Sequence, residues 1–198
     1  EACKRALDAA ICFGRTRGAQ GTILLRLAKI SHSARKPSPC APFLEGADHI
    51  MEKSVKLVEI TEENLQSVLN MKIKKGQRVA SNMYSLAQAY VNKYAWTRAI
   101  YTVDGTPAGF LMLYDNPEKS EYYLWRFMID AQHQGKGYGT EAIELLKEYV
   151  RTRPNARQLI TSSAPNCEGG AEDFYKKLGF KPTGEMEDDE VVLSIDLY

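Results

Sequence analysis

The six residues "QGKGYG" (134–139) place three glycines at alternate positions just before a strongly helical run, "TEAIELLKEYV". Glycine lacks a Cβ, so such a loop can turn successive N–H groups towards one point. A helix that starts there adds the positive end of its dipole, and the two together suit a phosphate. Lys136 adds a positive charge nearby. Three phosphate-binding patterns compete. A Walker A loop needs G-x-x-x-x-G-K-[ST], and no glycine here is followed by Lys-Ser or Lys-Thr at that spacing. Gly137, Gly139 and Ala142 match G-x-G-x-x-[GA]. That dinucleotide fingerprint belongs early in its fold, with an acid at the end of the next strand. Here the next strand, "RQLITSS" (157–163), holds no acid, and fewer than 60 residues follow the loop. The third pattern, Q/R-x-x-G-x-G/A, is met by Gln134, Gly137 and Gly139. It opens four residues after a strand that ends at Ile129-Asp130.

The flanking elements must hold this loop in place. "VKLVEI" (55–60) alternates and reads as a strand. Thr61 with Asn64 caps a helix over "EENLQSVLNMKI", with acids in its first turn. "SLAQAYVNKY" reads as a second helix, capped by Ser85. "TRAIYTV", Asp104-Gly105 and "PAGFLMLYD" form a hairpin around a turn dipeptide that tolerates positive φ. "EYYLWRFMID" is an aromatic and apolar strand, the helix after the loop covers 140–151, and "RQLITSS" is a strand. "GAEDFYKKLGF" is a short helix stopped by Gly179, and "EVVLSIDLY" closes the chain as a strand after the acidic turn "EMEDDE". The order β-α-α-β-β-β-α-β-α-β-β predicts a mixed α/β sheet covered by helices.

Gln134 to Gly139 resemble the acyl-CoA loop of the GNAT superfamily of N-acetyltransferases. The resemblance spans about 55 to 198. It implies a GNAT-like acyl-CoA N-acyltransferase fold, with a mixed, mostly antiparallel central sheet flanked by helices. It also implies acetyl-CoA as donor, its pyrophosphate held by Gln134, Gly135, Lys136, Gly137, Tyr138, Gly139 and Thr140. The strand before the loop resembles the family's central strand, so Phe127, Met128 and Ile129 are expected along the pantetheine arm. There the N–H of Met128 would polarise the thioester carbonyl. "FYKKLGF" (174–180) resembles the family's second signature. It places Tyr175 as the general acid for the departing thiolate and as a cofactor contact. Asn166 resembles the asparagine that contacts the cofactor arm, although "CEGG" lengthens the usual N-x-x-A spacing.

The implied reaction is direct attack by an amine in a ternary complex. An alkylammonium has a pKa of about 10, so its proton must be removed near neutrality. Tyr123 occupies the strand position where many family members carry a base. Glu121, two residues away on the same face, is either that base acting through water or a solvated residue at the strand end. "VASNMYSLAQAYV" (79–91) with "WRFMID…QGKGYG" resembles bacterial spermine/spermidine (diamine) acetyltransferases. A polycation needs carboxylates or aromatic faces. Tyr84, Tyr90, Tyr94, Trp96, Tyr122, Tyr123 and Trp125 could supply the faces. Arg126 opposes a cation unless it pairs with an acid or fixes the loop. Other acceptors remain open, namely an aminoglycoside, an amino acid or a protein amine. So does a non-catalytic acyl-CoA sensor, and a homodimer is common in the resembling family.

Bulk properties remove other classes. The 198 residues carry a net charge of +1, with 44% hydrophobic and 26% charged residues, as in an ordinary soluble domain. No apolar stretch is long enough to cross a bilayer. Cys3, Cys12, Cys40 and Cys167 show no CxxC spacing, and His32, His49 and His133 are scattered, so neither a disulfide framework nor a metal is expected. Residues 1–50 hold eight Lys and Arg against four acids, a net of +4, which leaves −3 on the other 148 residues. We read 1–50 as a poorly structured basic extension outside the working protein and 51–198 as the catalytic domain, with Met51 as a natural beginning. An organelle transit peptide fits the Arg-rich, acid-poor leader less well. Its charges are neither clustered nor interleaved with aromatics, so no nucleic-acid or membrane partner is expected, and the location is expected to be cytoplasmic.

Overall fold

Strand β1 (Val55–Val58) leads into α1 (Glu62–Asn70) and α2 (Asn82–Val91). The hairpin β2 (Ala95–Thr102) and β3 (Pro107–Asn116) follows, then β4 (Glu121–Ile129), α3 (Tyr138–Arg151), β5 (Gln158–Ser163), α4 (Ala171–Lys177), β6 (Lys181–Glu187) and β7 (Glu190–Asp196). This is a computed structural model that describes residues 53–75, 77–165 and 171–198, all within the unit His49–Tyr198. The readings of residues 1–50 and of Asn166 lie outside the described residues. The element order matches the sequence expectation throughout. The seven strands form one sheet in the order β1-β2-β3-β4-β5-β7-β6. Every neighbouring pair is antiparallel except β4 with β5.

Two cores follow from strand alternation. On one face α3 supplies Ala142, Ile143, Leu146 and Val150, and α4 supplies Tyr175, against Ile100, Leu111, Leu113, Leu124, Leu159 and Leu193. On the other face α1 and α2 cover Ala99, Phe110, Met112 and Met128. No helix among the described residues is long and apolar enough to cross a membrane.

Three local expectations shift. Helix α2 starts at Asn82, so Ser81 is its cap and accepts from the Tyr84 N–H at 3.2 Å. Ser85 lies inside the helix and its hydroxyl donates to the Ser81 carbonyl at 3.0 Å. Helix α1 stops at Asn70 because Lys72 is drawn to the chain after β4. The Lys72 N–H donates to Asp130 Oδ2 at 3.0 Å, and the Ala131 N–H donates to the Lys72 carbonyl at 2.7 Å. The acidic segment is mostly strand, since β6 runs to Glu187 and only Asp188 and Asp189 turn the chain, Asp188 with φ of 50°.

Strands β3 and β4 approach closely at Gly109. A Cβ built there would stand 2.5 Å from the Met128 carbonyl oxygen and 2.9 Å from Ile129 Cδ1. Both are below any real Cβ contact, so Gly109→Ala must push the strands apart. We expect a loss of about 2 to 3 kcal/mol, seen as a fall of roughly 5 to 10 °C in melting temperature. An unchanged melting temperature would show that the strands separate without cost.

Candidate active site

Strands β4 and β5 pair only at Tyr123–Ile160 and Leu124–Thr161. Beyond that point β4 runs on to Ile129 and β5 to Ser163 without pairing to each other. The Thr161 hydroxyl closes the vertex by donating to the Leu124 carbonyl at 3.1 Å. The opening is part of a cleft of about 1010 Å³, walled by residues 123–129 of β4, the glycine loop, residues 161–164, α4 and residues 187–190.

A β-bulge sets which main-chain groups face this opening. Met112 of β3 stands opposite Arg126 and Leu113 opposite Leu124, so Trp125 is the extra residue. Before the bulge the Leu124 carbonyl points to β5. After it the Met128 carbonyl points to Gly109 on β3. Successive residues of a strand alternate their hydrogen-bonding direction. The main-chain groups of Phe127 and Ile129, and not the N–H of Met128, therefore face the cleft. The Ile129 carbonyl accepts from Gln134 Nε2 at 2.9 Å, as this parity requires. The Met128 N–H that the family resemblance implied is corrected on that ground, since the bulge at Trp125 sets which main-chain groups face the cleft.

At the open end the glycines divide their work. Gly135 has φ of 80° and Gly137, the N-cap of α3, has φ of 85°. Among the described residues, and apart from each glycine's own chain neighbours, no atom lies within 4 Å of a Cβ built on either one. Gly139 serves packing instead, since its Cβ would meet Phe174 Cζ at 3.3 Å. Helix α3 starts at Tyr138, two residues before the expected Thr140, and both residues line the cleft. Glu141 in its first turn would oppose an anion, but it is turned to β1. There it accepts from the Ser54 N–H and the Ser54 hydroxyl, each at 2.7 Å. Gln134 Nε2 also donates to Gln77 Oε1 at 2.9 Å, which ties the α1–α2 connection to the loop. Lys136 is exposed, 6.0 Å from the Tyr138 ring, and does not line the cleft.

Tyr175 reaches the vertex from the α4 side. The Phe174–Phe127 stack at 5.8 Å and the Tyr175–Phe180 contact at 5.4 Å fix its helix. Burial pushes its phenol up to about 12, a hydrogen bond with the Thr161 hydroxyl opposes this, and the Glu190 charge adds to it. The phenol thus keeps its proton at neutral pH. Leu124 packs with Tyr175 in one core. Alternation puts their strand neighbours, Tyr123 and Ser162, on the opposite face. The Tyr123 hydroxyl donates to Glu187 Oε2 at 2.7 Å, and the Ser162 hydroxyl donates to Glu190. Burial is the main cause that raises the Tyr123 phenol above its ordinary value.

Other expected residues stand elsewhere. Glu121 is exposed at the start of β4, opposite Asn116, and is not part of the cleft wall. Of the aromatics, Tyr123 and Trp125 line the cleft. Tyr84 and Tyr90 are exposed, Trp96 stacks on Tyr149 at 4.0 Å, Tyr94 packs edge-on to Tyr114, and Tyr122 is in the core. Arg126 lines the cleft and pairs with no acid among the described residues. Its Nη1 donates to the Trp125 carbonyl at 2.7 Å, its Nη2 to Gln88 Oε1 at 3.1 Å, and its Nε has no partner. Among the described residues no group of three or more His, Cys, Asp or Glu side chains could hold a metal ion. Sequence reading missed the carboxylates of Glu187, Asp188, Asp189 and Glu190 in the cleft wall. Their only local signal is the acid run itself, which says nothing of where the turn reaches.

A parallel pair splayed past a bulge, with a glycine-rich helix start at its open end and a buried phenol at its vertex, is an arrangement suited to acyl transfer. The profile of the acetyltransferase (GNAT) family matches residues 71–180, over half of the chain, and the chain belongs to that family as an N-acetyltransferase. It is similar to the spermine/spermidine N(1)-acetyltransferase of Bacillus subtilis, with 25% identity over 142 residues that cover 68% of this chain and 92% of that protein. In fold it resembles the spermidine N-acetyltransferase of Vibrio cholerae in complex with CoA and spermine. That TM-score is 0.60, at 16% identity, covering 74% of this chain and 97% of the other. Arabidopsis thaliana Naa50, bound to a bisubstrate analogue, gives 0.53 at 22% identity over 72% and 98% of the two chains.

Proposed function

We propose that the protein transfers the acetyl group of acetyl-CoA to a primary amine of a polyamine such as spermidine or spermine, by direct attack in a ternary complex. The splayed β4–β5 pair carries this reading, because it leads from the helix start at Gly137 to Tyr175. In it the pyrophosphate lies against Gly135, Gly137 and the first N–H groups of α3, with Gln134 shaping the loop. The pantetheine arm adds to the free edge of β4 along Phe127 and Ile129. The N–H of one of these two donates to the thioester oxygen as charge develops there. Tyr175 donates its proton to the departing sulfur. Holding both reactants at the vertex supplies the proximity term.

The acceptor assignment rests on the four carboxylates of residues 187–190, on Trp125 and Tyr123, and on the similarity to polyamine acetyltransferases. Arg126, a cation in the wall with no acid beside it among the described residues, favours a second acceptor that carries its own carboxylate, an amino acid. The V. cholerae neighbour is described as dodecameric, and self-association, at its simplest a homodimer, belongs to the same reading. The test follows free-thiol release from acetyl-CoA with spermidine, spermine, lysine, an aminoglycoside and a peptide amine. Release with the polyamines above all others is expected. Release with lysine alone would move the acceptor to the amino-acid class. No release with any amine, despite thermal stabilisation by acetyl-CoA, would mean a non-catalytic sensor.

A further inference from the structure

The amine needs a proton acceptor on its own side of the sheet. Tyr175 cannot serve, since it sits on the α4 face, holds its proton and is assigned to the leaving sulfur. Glu121 lies two residues further from the vertex than Tyr123, about 7 Å along the strand, and outside the cleft wall. On the face opposite Tyr175, one residue before Leu124 at the vertex, stands Tyr123. Its hydroxyl donates to Glu187 Oε2 at 2.7 Å, and both residues line the cleft. The Tyr123 side chain is half-buried, whereas Glu187 is exposed. An inner hydroxyl thus connects the reacting point to an outer carboxylate in contact with water.

We propose that Tyr123 and Glu187 form a proton relay that deprotonates the attacking amine, with Tyr123 as the catalytic group and Glu187 orienting its hydroxyl and receiving the proton. The inference rests on the acetyltransferase reading above. In the relay an N–H bond of the ammonium breaks and its proton moves to Tyr123 Oη, while the phenolic proton passes to Glu187 Oε2. Tyr123 is neutral before and after, so no buried phenolate forms. The freed nitrogen lone pair makes the N–C bond, the C–S bond breaks, and the sulfur keeps its electron pair and takes the proton of Tyr175. The second proton lost by nitrogen leaves to water on the amine's side, water returns a proton to Tyr175 on the α4 face, and Glu187 gives its own proton to water. The sum is one amide, one thiol and one proton.

The groups around the relay fit this direction of flow. Glu187 faces Tyr123 from β4 and Glu190 across the β6–β7 pair, with Asp188 and Asp189 in the turn and Ser162 of β5 between Tyr123 and Glu190. All the ionised groups among these are acidic, so they draw a cation in and favour a proton moving out. Glu190 is held by the Ser162 hydroxyl and has no hydrogen bond to Tyr123, which leaves Glu187 as the acceptor.

The experiment compares the parent with Glu187→Gln and Tyr123→Phe for kcat/KM at several pH values, using spermidine and using trifluoroethylamine, an amine already neutral in the assay. With spermidine each variant is expected to lose about 10²-fold near pH 7, and the acidic limb of the profile to move, with KM for acetyl-CoA unchanged. With the neutral amine the loss should largely disappear, which a purely structural role for either side chain would not produce. Glu187→Asp should recover part of the rate. Equal losses with both amines, or no loss with spermidine, would overturn the relay and leave the acetyltransferase reading standing. A parent that releases thiol with no amine would overturn that reading, and the relay with it.

Discussion

Gly137→Val should leave a folded protein that binds acetyl-CoA roughly 100-fold more weakly, a loss of about 2.7 kcal/mol in binding. The reason is conformational. Gly137 is the N-cap of α3 with φ of 85°, a left-handed geometry that costs an L-residue about 1 to 2 kcal/mol, and a β-branched one more. Valine will therefore rotate out of this region and turn the N–H groups of the loop away from their common point. Its side chain would also project where an anion must approach. The rest of the helix has no such dependence, because Ala142, Ile143, Leu146 and Val150 anchor it in the core. Among the described residues, and apart from the glycine's own chain neighbours, no atom lies within 4 Å of the added Cβ, so their packing is undisturbed. Calorimetry of acetyl-CoA binding, read beside a thermal melt, separates the two effects. An unchanged dissociation constant would remove this loop as the pyrophosphate site, and a collapsed melt would show that Gly137 serves the fold instead.

Tyr175→Phe should lower kcat by about 10²-fold or more and leave KM for acetyl-CoA nearly unchanged. The ring stays in its place, packed by Phe174 and Phe180. The Thr161 hydroxyl keeps its bond to the Leu124 carbonyl, so the vertex remains closed. What is lost is the proton for the sulfur. With its phenol raised to about 12, Tyr175 stays protonated throughout the working range, so it should contribute no limb to a profile recorded between about pH 6 and 10. This distinguishes it from the relay on the other face, whose loss moves the acidic limb. Single-turnover thiol release is the direct measurement. Parent-like kcat in the phenylalanine variant would mean that solvent protonates the sulfur.

Legibility followed the range of the physics involved. Strand alternation, the turn at Asp104-Gly105 and the glycine stop at Gly179 act over a few residues, and each was readable from the chain. The early end of α1 was misread because a partner distant in sequence decides it, whereas the Ser81 cap was misread among local alternatives, with Tyr84 three residues on and Ser85 four. Ser85 is drawn into the helix interior, and Lys72 binds Asp130 across 58 residues. The role of Gly139 was equally hidden, since the Phe174 ring that requires it comes 35 residues later, on another helix.

The sequence alone determined the family, because the glycine loop, the strand before it and the helix after it are contiguous, and their spacing carries the geometry. Only the tertiary structure brings the remaining groups of the cleft wall together. The bulge at Trp125 reverses the strand parity and presents Phe127 and Ile129 where the family resemblance implied Met128. The sheet order brings Glu187, at the end of β6, to the Tyr123 hydroxyl, 64 residues away, a contact that local spacing around Glu121 does not contain. Register and strand order are settled by packing between segments distant in the chain, and no local pattern encodes them.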